Sequence, residues 1–410
     1  MDLRHRLGLP AAGGRRALLA AMLVDSLGSG LFLPFTVVFF LRTTSLGLPA
    51  IGASLSLAEL ATMPGLPIYG PLLDRLGPRA LVVIGNLVSA LGFLGFLAVH
   101  DQFELVLFAG LVDCGSGLFW TANPALLSLA ANLGERSLWF GLSRVLRNCG
   151  IGLGALAAAA LVTAAGSQGL RLIALANAAS FIAAAVLVAC WRWAPPGRAP
   201  QTTGVSPIGR RPGYAAVLRD RSYLLLMAAN VVFVLCGDSL TLLLAVYVSR
   251  DLHEPLVLAG ALFAVNTALV VLLQTAVTRL VDRAARARIL RWAAVAWGVS
   301  LLLLGALSAA PRGVVIPGLL VAIAVFTLVE MLESPAMSDL VVSCASGPSQ
   351  GRYLGVHQVS WAVGAATAPV LFAWLLNRGP LWPWLVLAGT CLAAMLVLQR
   401  LDSAPPAEPA

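Results

Sequence analysis

Twelve apolar runs, each about 20 residues long, recur along this chain and confine its fold more tightly than any other feature. They lie at roughly 17–41, 50–71, 79–99, 103–131, 138–164, 169–191, 222–248, 256–281, 288–309, 314–343, 353–376 and 380–399. A helix of that length crosses a hydrocarbon core about 30 Å thick, where no water is available to satisfy an open backbone. Of the 410 residues 59% are hydrophobic and 11% charged, and the mean hydropathy is +0.90, which excludes an ordinary soluble domain. The expected fold is all-α, with twelve transmembrane helices.

The charges orient these spans. All 27 basic residues are Arg. Only Arg42, Arg171, Arg250, Arg312 and Arg378 fall in segments that are external if the N-terminus is inside, and Arg144 and Arg147 lie within the fifth run. The rest are cytoplasmic, so the positive-inside rule places both termini inside the cell. The net charge of +9 therefore reflects membrane orientation. Nucleic-acid binding would need a solvated arginine stripe with interleaved aromatics, which is missing. The six cysteines sit in or beside six different runs with no C-x-x-C spacing, as small packing residues do, so neither a disulfide framework nor a metal site is expected. The basic segment Arg4 to Arg16 leads into a full-length span without a small-residue cleavage pattern, so no cleavable signal is expected.

Between the second and third runs stands GPLLDRLGPR, Gly70 to Arg79. Gly70 and Pro71 are expected to loosen a helix end, Gly77 and Pro78 to make the turn, and Arg75 and Arg79 to hold it in the cytoplasm. Asp74, a lone carboxylate among arginines, suits a helix N-terminus or an Arg ion pair. An ordinary positive-inside loop would account for the arginines but not for the spaced glycines and the Asp. The pattern closely resembles the signature loop between helices 2 and 3 of the major facilitator superfamily of secondary transporters. That resemblance implies two pseudo-symmetric six-helix bundles, and a latch in which Asp74 and Arg75 secure the outward-open state by docking on helix 11.

Arg192 to Arg221 is the long polar interval inside the chain, with a Pro/Gly-rich middle, and reads as a cytoplasmic linker. The expected domains are thus 1–191, a linker over 192–221, and 222–410. The halves read as repeats. Asp74-Arg75 and Asp282-Arg283 are 208 residues apart, as are Phe39 and Tyr247. Asn123-Pro124-Ala125 matches Ser334-Pro335-Ala336 at an offset of 211, and Gly141 and Gly150 match Gly355 and Gly364 at 214. Such duplication suits two bundles rocking about a central site. The second loop, RLVDRAARAR, lacks both glycines, which puts its latch role in doubt.

Charges inside a membrane helix cost about 2.5–3.5 kcal/mol at its centre, so those retained are functional candidates. The first span carries Asp25, Ser29, Phe32 and Thr36 on one face, and the fourth carries Asp113, Ser116, Trp120 and Asn123. The seventh carries Asn230, Asp238 and Thr241, and the tenth Thr327, Glu330, Ser334 and Ser338. The resemblance implies that these four helices line the central cavity. Asp25, Asp113, Asp238 and Glu330 are the candidate proton-coupling groups, although Asp113 and Asp238 equally suit a solvated rim. Glu333 and Asp339 read as gate or ion-pair residues, and Glu59 as an interdomain hydrogen-bonding group. Trp120 and Trp361 suit either packing or a wall for flat or cationic ligands. The fifth span holds Arg144, Arg147 and Asn148, then Gly150, Gly152 and Gly154, whose alternation permits close helix approach. It resembles the glycine-rich antiporter motif of drug exporters but lacks its proline. The two arginines are expected to pair with an acid such as Glu330 or Glu333, or with Asp25, or to receive an anionic substrate. His357 in the eleventh span is a structural residue or a group titrating near neutral pH.

No nucleotide-binding loop, H-E-x-x-H or G-x-S-x-G motif is present, so neither ATP-driven transport nor membrane-enzyme chemistry is expected, and no cofactor or metal. A non-transporting receptor would have little need of buried acids on several helices. The expected function is alternating-access secondary transport, coupled to protons, in the plasma membrane of a bacterium, by a monomer whose partners are a small-molecule substrate and the lipid bilayer. Few Asn, Gln or Lys in the spans favour export of amphipathic or drug-like molecules over uptake of a sugar, amino acid or siderophore.

Overall fold

A computed structural model describes residues 15–130, 136–191, 214–281, 286–344 and 350–402. The basic N-terminal segment up to residue 14, the linker over 192–213 and the second signature loop over 282–285 lie outside the described residues.

Every described element is helical, because the apolar runs satisfy their backbones internally. Helix α1 spans Arg16–Thr43, tightening to a 3₁₀ turn at Leu33–Phe35 where Pro34 removes a donor. Helix α2 begins at Leu48 and passes through another 3₁₀ turn at Met63–Gly65. It ends at Gly77, whose φ of 79° and ψ of 160° break a helical stretch that otherwise runs from Leu66 to Phe96. Beyond that residue α3 covers 78–96, with Pro78 at its first position, where its missing N–H is no loss. The expected loop is thus compressed into one residue, and Gly70 and Pro71 lie inside α2 instead of ending it. Helix α4 spans Gln102–Ala130. Gly166, at φ 55°, divides Arg136–Cys190 into α5 (136–165) and α6 (167–190) in the same way.

The second half comprises α7 (Arg221–Asp251), α8 (Leu256–Val281), α9 (Arg286–Ala306), α10 (Arg312–Cys344), α11 (Gln350–Arg378) and α12 (Trp382–Asp402). Helix α7 is π-helical at Ser239–Leu243 and again at Tyr247–Asp251, a widening that hydrophobic periodicity does not announce.

The chain forms two compact units. The first contains α1 to α6 together with residues 239–271 and 366–380, which are the far end of α7, most of α8 and the far end of α11. Its helices meet at glycines, as they must where lipid offers apolar surface as good as another helix. A Cβ on Gly150 would lie 2.5 Å from Ser26 Cβ, so α5 rests on α1. Two residues on, a Cβ on Gly152 would lie 3.1 Å from Thr267 Cγ2. At about 100° per residue a step of two turns the chain to its opposite face, so alternate glycines serve α1 and α8 in turn. A Cβ on Gly260 of α8 would come within 2.5 Å of Ala159 Cβ, and one on Gly52 of α2 within 2.5 Å of Ala373 Cβ and of Pro369 O on α11. One turn along, Val370 N–H donates to Ser56 Oγ at 3.1 Å.

Two apolar clusters bracket this unit. Phe32, Phe39, Phe40, Phe93 and Phe96 pack largely edge to face, with centroids 4.9–6.5 Å apart. At the other end Leu18, Leu81, Val82, Leu126, Trp139, Val188 and Trp191 form a buried core.

The second unit holds 221–238, the remainder of α8, α9, α10, the near part of α11, and α12. Trp297 stands edge-on to Phe326 at 4.5 Å, Ser300 Oγ donates to Ala322 O at 3.1 Å, and a Cβ on Gly305 would lie 2.9 Å from Trp384 Cβ. The thiols of Cys236 and Cys391, both buried and free, approach to 3.4 Å between α7 and α12.

Candidate proton and substrate site

Asp25 is 8% exposed, deep for a carboxylate in a membrane helix. It forms one wall of a cavity of about 150 Å³ within the first unit, shared with Ser29, Asn86, Ser116, Arg147 and Asn177. Ser29 comes from the same helix one turn on, as its spacing predicts. Asn86 and Asn177 belong to α3 and α6, and sequence reasoning passed over both. Their signal was an uncharged polar side chain inside an otherwise apolar run, a weaker one than the charge that singled out Asp25. Asn86 is 1% and Asn177 0% exposed, and neither Asn86 Oδ1 nor Asn177 Nδ2 has a hydrogen-bond partner in the protein. A smaller void of about 20 Å³ abuts Asp25 and Asn86 and reaches Asn123.

Arg147 does not close on Asp25. No ion pair within 4 Å joins them among the described residues, although the two charges interact across the cavity. The guanidinium lies over the Trp120 ring instead, 4.2 Å from its centroid. A cation held on an aromatic face gains about 0.5–2 kcal/mol and keeps its N–H groups for other acceptors. Trp120 is 46% exposed and marks the accessible edge of the cavity. Arg144 is exposed and Asn148 half-buried.

Other candidates fall elsewhere. Phe32, 2% exposed, is locked into the phenylalanine cluster and does not wall the cavity. Thr36 Oγ1 donates to Leu33 O at 3.1 Å, closing the 3₁₀ turn. Asp113 stands within electrostatic reach of Glu59 on α2 and of Tyr69, a grouping separate from the Asp25 cavity. Asn230 donates Nδ2–H to Ser360 Oγ at 2.8 Å, tying α7 to α11. Asp238 ends the α-helical part of α7, and Thr241 lies in the π-helical turn that follows. Glu330 and Glu333 interact one turn apart on α10, and Trp361 is exposed on α11. Asp339 takes the expected ion-pair role with Arg286, at 3.1 Å. His357 is half-buried with Nε2 unpartnered in the protein, and its carbonyl accepts from Ser360 Oγ at 2.7 Å.

In the signature loop, Asp74 and Arg75 are exposed, and a Cβ on Gly70 would meet nothing within 4 Å. Arg79 turns back along its own unit. Its Nε donates to Val188 O at 3.1 Å and its Nη2 to Ala189 O, satisfying carbonyls at the end of α6.

A family profile described as the Major Facilitator Superfamily matches residues 18–345 and, in a second overlapping match, 229–410. The chain belongs to the major facilitator superfamily. It is accordingly a multi-pass membrane transporter and not an enzyme. Its relatives include the multidrug resistance protein MdtH of Klebsiella pneumoniae (strain 342), 26% identical over 379 residues, or 90% of each chain. MdtH of Sodalis glossinidius (strain morsitans) is 26% identical over 397 residues, 93% of this chain and 92% of that one. Among solved structures, a bacterial homologue of the iron transporter ferroportin in an inward-facing state superposes with a TM-score of 0.75 at 17% identity, over 96% of this chain and all of the other. The nucleoside transporter NupG gives 0.73 at 12% identity, over 96% of this chain and 100% of the other. At such identities these two show the fold, that of the major facilitators, and no more.

Proposed function

We propose that this chain is a proton-driven exporter of amphipathic, drug-like molecules in a bacterial inner membrane, with Asp25 as the carboxylate that binds and releases the proton. The observation that carries the reading is Arg147 resting on Trp120 while Asp25 remains within the cavity without a direct ion pair. A carboxylate in a permanent salt bridge keeps its charge, whereas one facing only a distant cation can exchange a proton. The MdtH relatives support export of many drugs in place of uptake of one nutrient. The transporter works as a monomer, with both termini cytoplasmic and with six-helix halves over 1–191 and 222–410 joined by the 192–221 linker. In that orientation the contacts of Gly52 with α11 and of Gly260 with α5 lie on the outer side, where they close the path outward. Asp74 and Arg75 act when that side opens, by docking on helix 11.

Substrate is released outward as the proton enters, so protonation of Asp25 and release of the substrate are linked steps of one cycle. Reconstitution in liposomes with ethidium as the probe tests this. Asp25→Asn is expected to abolish ethidium transport driven by a pH gradient while ethidium exchange continues. Unchanged gradient-driven transport in that variant removes Asp25 from the coupling step.

A further inference from the structure

The Asp25 cavity is lined by two buried amides, each with one atom, Asn86 Oδ1 and Asn177 Nδ2, that has no partner in the protein. An unsatisfied buried polar atom costs about 1–3 kcal/mol, and more where hydrocarbon surrounds the helices. Asn86 and Asn177, which carry these unpartnered atoms, an acceptor and a donor, both line the same space of about 150 Å³. Ligand pockets for drug-sized molecules occupy about 300–1,000 Å³, so this space is too small for the transported substrate. At about 30 Å³ each it holds on the order of five waters, and its walls supply the two to four polar partners that each water needs.

We propose that this cavity is a permanently hydrated compartment, with water as its ligand. The water chain beside Asn86 and Asn177 carries the proton between Asp25 and the Trp120 edge. The inference rests on Asp25 as the coupling group. The phenylalanine cluster and the Leu18–Trp139 core lie toward the two ends of the unit, which leaves the half-exposed Trp120 and Arg147 as the side where water enters. A hydronium arriving there gives one proton to the nearest water. Each water then passes one of its own protons on, and the last donates to a carboxylate oxygen of Asp25. The waters are left unchanged in number and charge, with their dipoles reversed. Arg147 is the one charged side chain among those that face Asp25 across the cavity; α3, α4 and α6 present Asn86, Ser89, Ser116 and Asn177, which are uncharged. An excess proton in the chain is therefore repelled by the Arg147 charge at the mouth and attracted by the Asp25 carboxylate at the end, so Arg147 slows entry and, once the proton has passed, favours its transfer onward to Asp25.

Radiolytic hydroxyl-radical footprinting of the intact protein reads trapped water directly. Phe93 and Phe181, which line the cavity, are expected to be oxidised at least fivefold faster than the fully buried Trp139. That excess is expected to disappear in the double variant Asn86→Leu, Asn177→Leu. In liposomes the double variant should lose at least tenfold in pH-driven ethidium transport, with ethidium exchange retained within about threefold. Asn86→Ser, which keeps a hydroxyl for water, should recover most of the loss and guards against misfolding of the leucine variant. Equal oxidation of Phe181 and Trp139 in the parent protein overturns the hydrated compartment. Full pH-driven transport in the double variant overturns the proton route even if Asp25→Asn uncouples. Retained coupling in Asp25→Asn overturns the coupling role itself, whatever the footprinting shows about water.

Discussion

Gly52→Ala is expected to prise α2 from α11 and move the transporter out of the state with this contact closed. The added Cβ would lie 2.5 Å from both Ala373 Cβ and Pro369 O, whereas carbon atoms rest about 3.5–4.0 Å apart. The helices must therefore part by about 1 Å or more, and overpacking of that kind costs about 1–3 kcal/mol. The Val370 N–H···Ser56 Oγ bond one turn away is stretched by the same movement, adding about 0.5–1.5 kcal/mol. Each 1.4 kcal/mol is tenfold in population, so the closed state loses at least tenfold against states in which the helices are apart. Spin labels at Ser45→Cys and Asn377→Cys, with the exposed Cys190 and Cys344 replaced by serine, report the separation of these helix ends as a distance distribution. A longer-distance population should grow in Gly52→Ala and remain at the parental level in Gly70→Ala, where a Cβ would meet nothing within 4 Å. An unchanged distribution in Gly52→Ala, at parental thermal stability, refutes the reasoning.

Arg79→Gln should lower the unfolding temperature in detergent by the equivalent of about 1–3 kcal/mol, because the charge-assisted bonds to the end of α6 are lost. Stability equal to the parent would show that those carbonyls find water or lipid partners instead. Asp220→Ala should accelerate amide exchange across the first turn of α7 and through Tyr353. Asp220 accepts from Tyr223 N–H at 3.0 Å as an N-cap and from Tyr353 Oη–H at 3.1 Å, so parental exchange at 221–224 would contradict this.

The membrane helices were legible because span length is set by the bilayer and not by tertiary context. The run expected at 103–131 folds as Gln102–Ala130, and that at 380–399 as Trp382–Asp402. What periodicity could not reach was how neighbouring helices settle each polar residue. Phe32 shares the stripe of Asp25, yet its ring is captured by Phe93 and Phe96, residues some 60 positions away. Asp113 looked like a partner for the Trp120 face, but Glu59 and Tyr69 of α2 stand beside it. Gly70-Pro71 carries the composition of a helix end, but the neighbouring positive-φ Gly77 makes the whole turn and lets α2 run through the proline. The π-helical turns of α7 leave no trace in hydropathy, because a widened turn changes register by one residue without changing composition. Asn86 and Asn177 were visible as polar residues. They went unweighed because ionisable groups on the first, fourth, seventh and tenth spans drew the reading.

The internal duplication sharpens the case for chemistry concentrated in the first half. At the offset of 208 residues that relates the two signature loops, Asp25 falls on Phe233, which is buried and apolar. Asn86 falls on Ala294 at that offset, and on Trp297 at the offset of 211 that holds by the Asn123 repeat; both are buried. Trp297 packs edge-on to Phe326, so the second half fills with rings the kind of space that the first half leaves polar. Two copies of one scaffold under the same membrane constraint have no packing reason to differ in this way. A polar cavity costs stability that an aromatic core supplies, so its retention around Asp25 in the first half marks a site kept for what it binds. On the proposed reading one protonatable centre is enough, since rocking of the halves presents the same carboxylate to each side in turn. The carboxylates of the second half, Asp238, Glu330 and Glu333, are then left to recognise the substrate or to hold the bundle, and coupling does not require them to match Asp25.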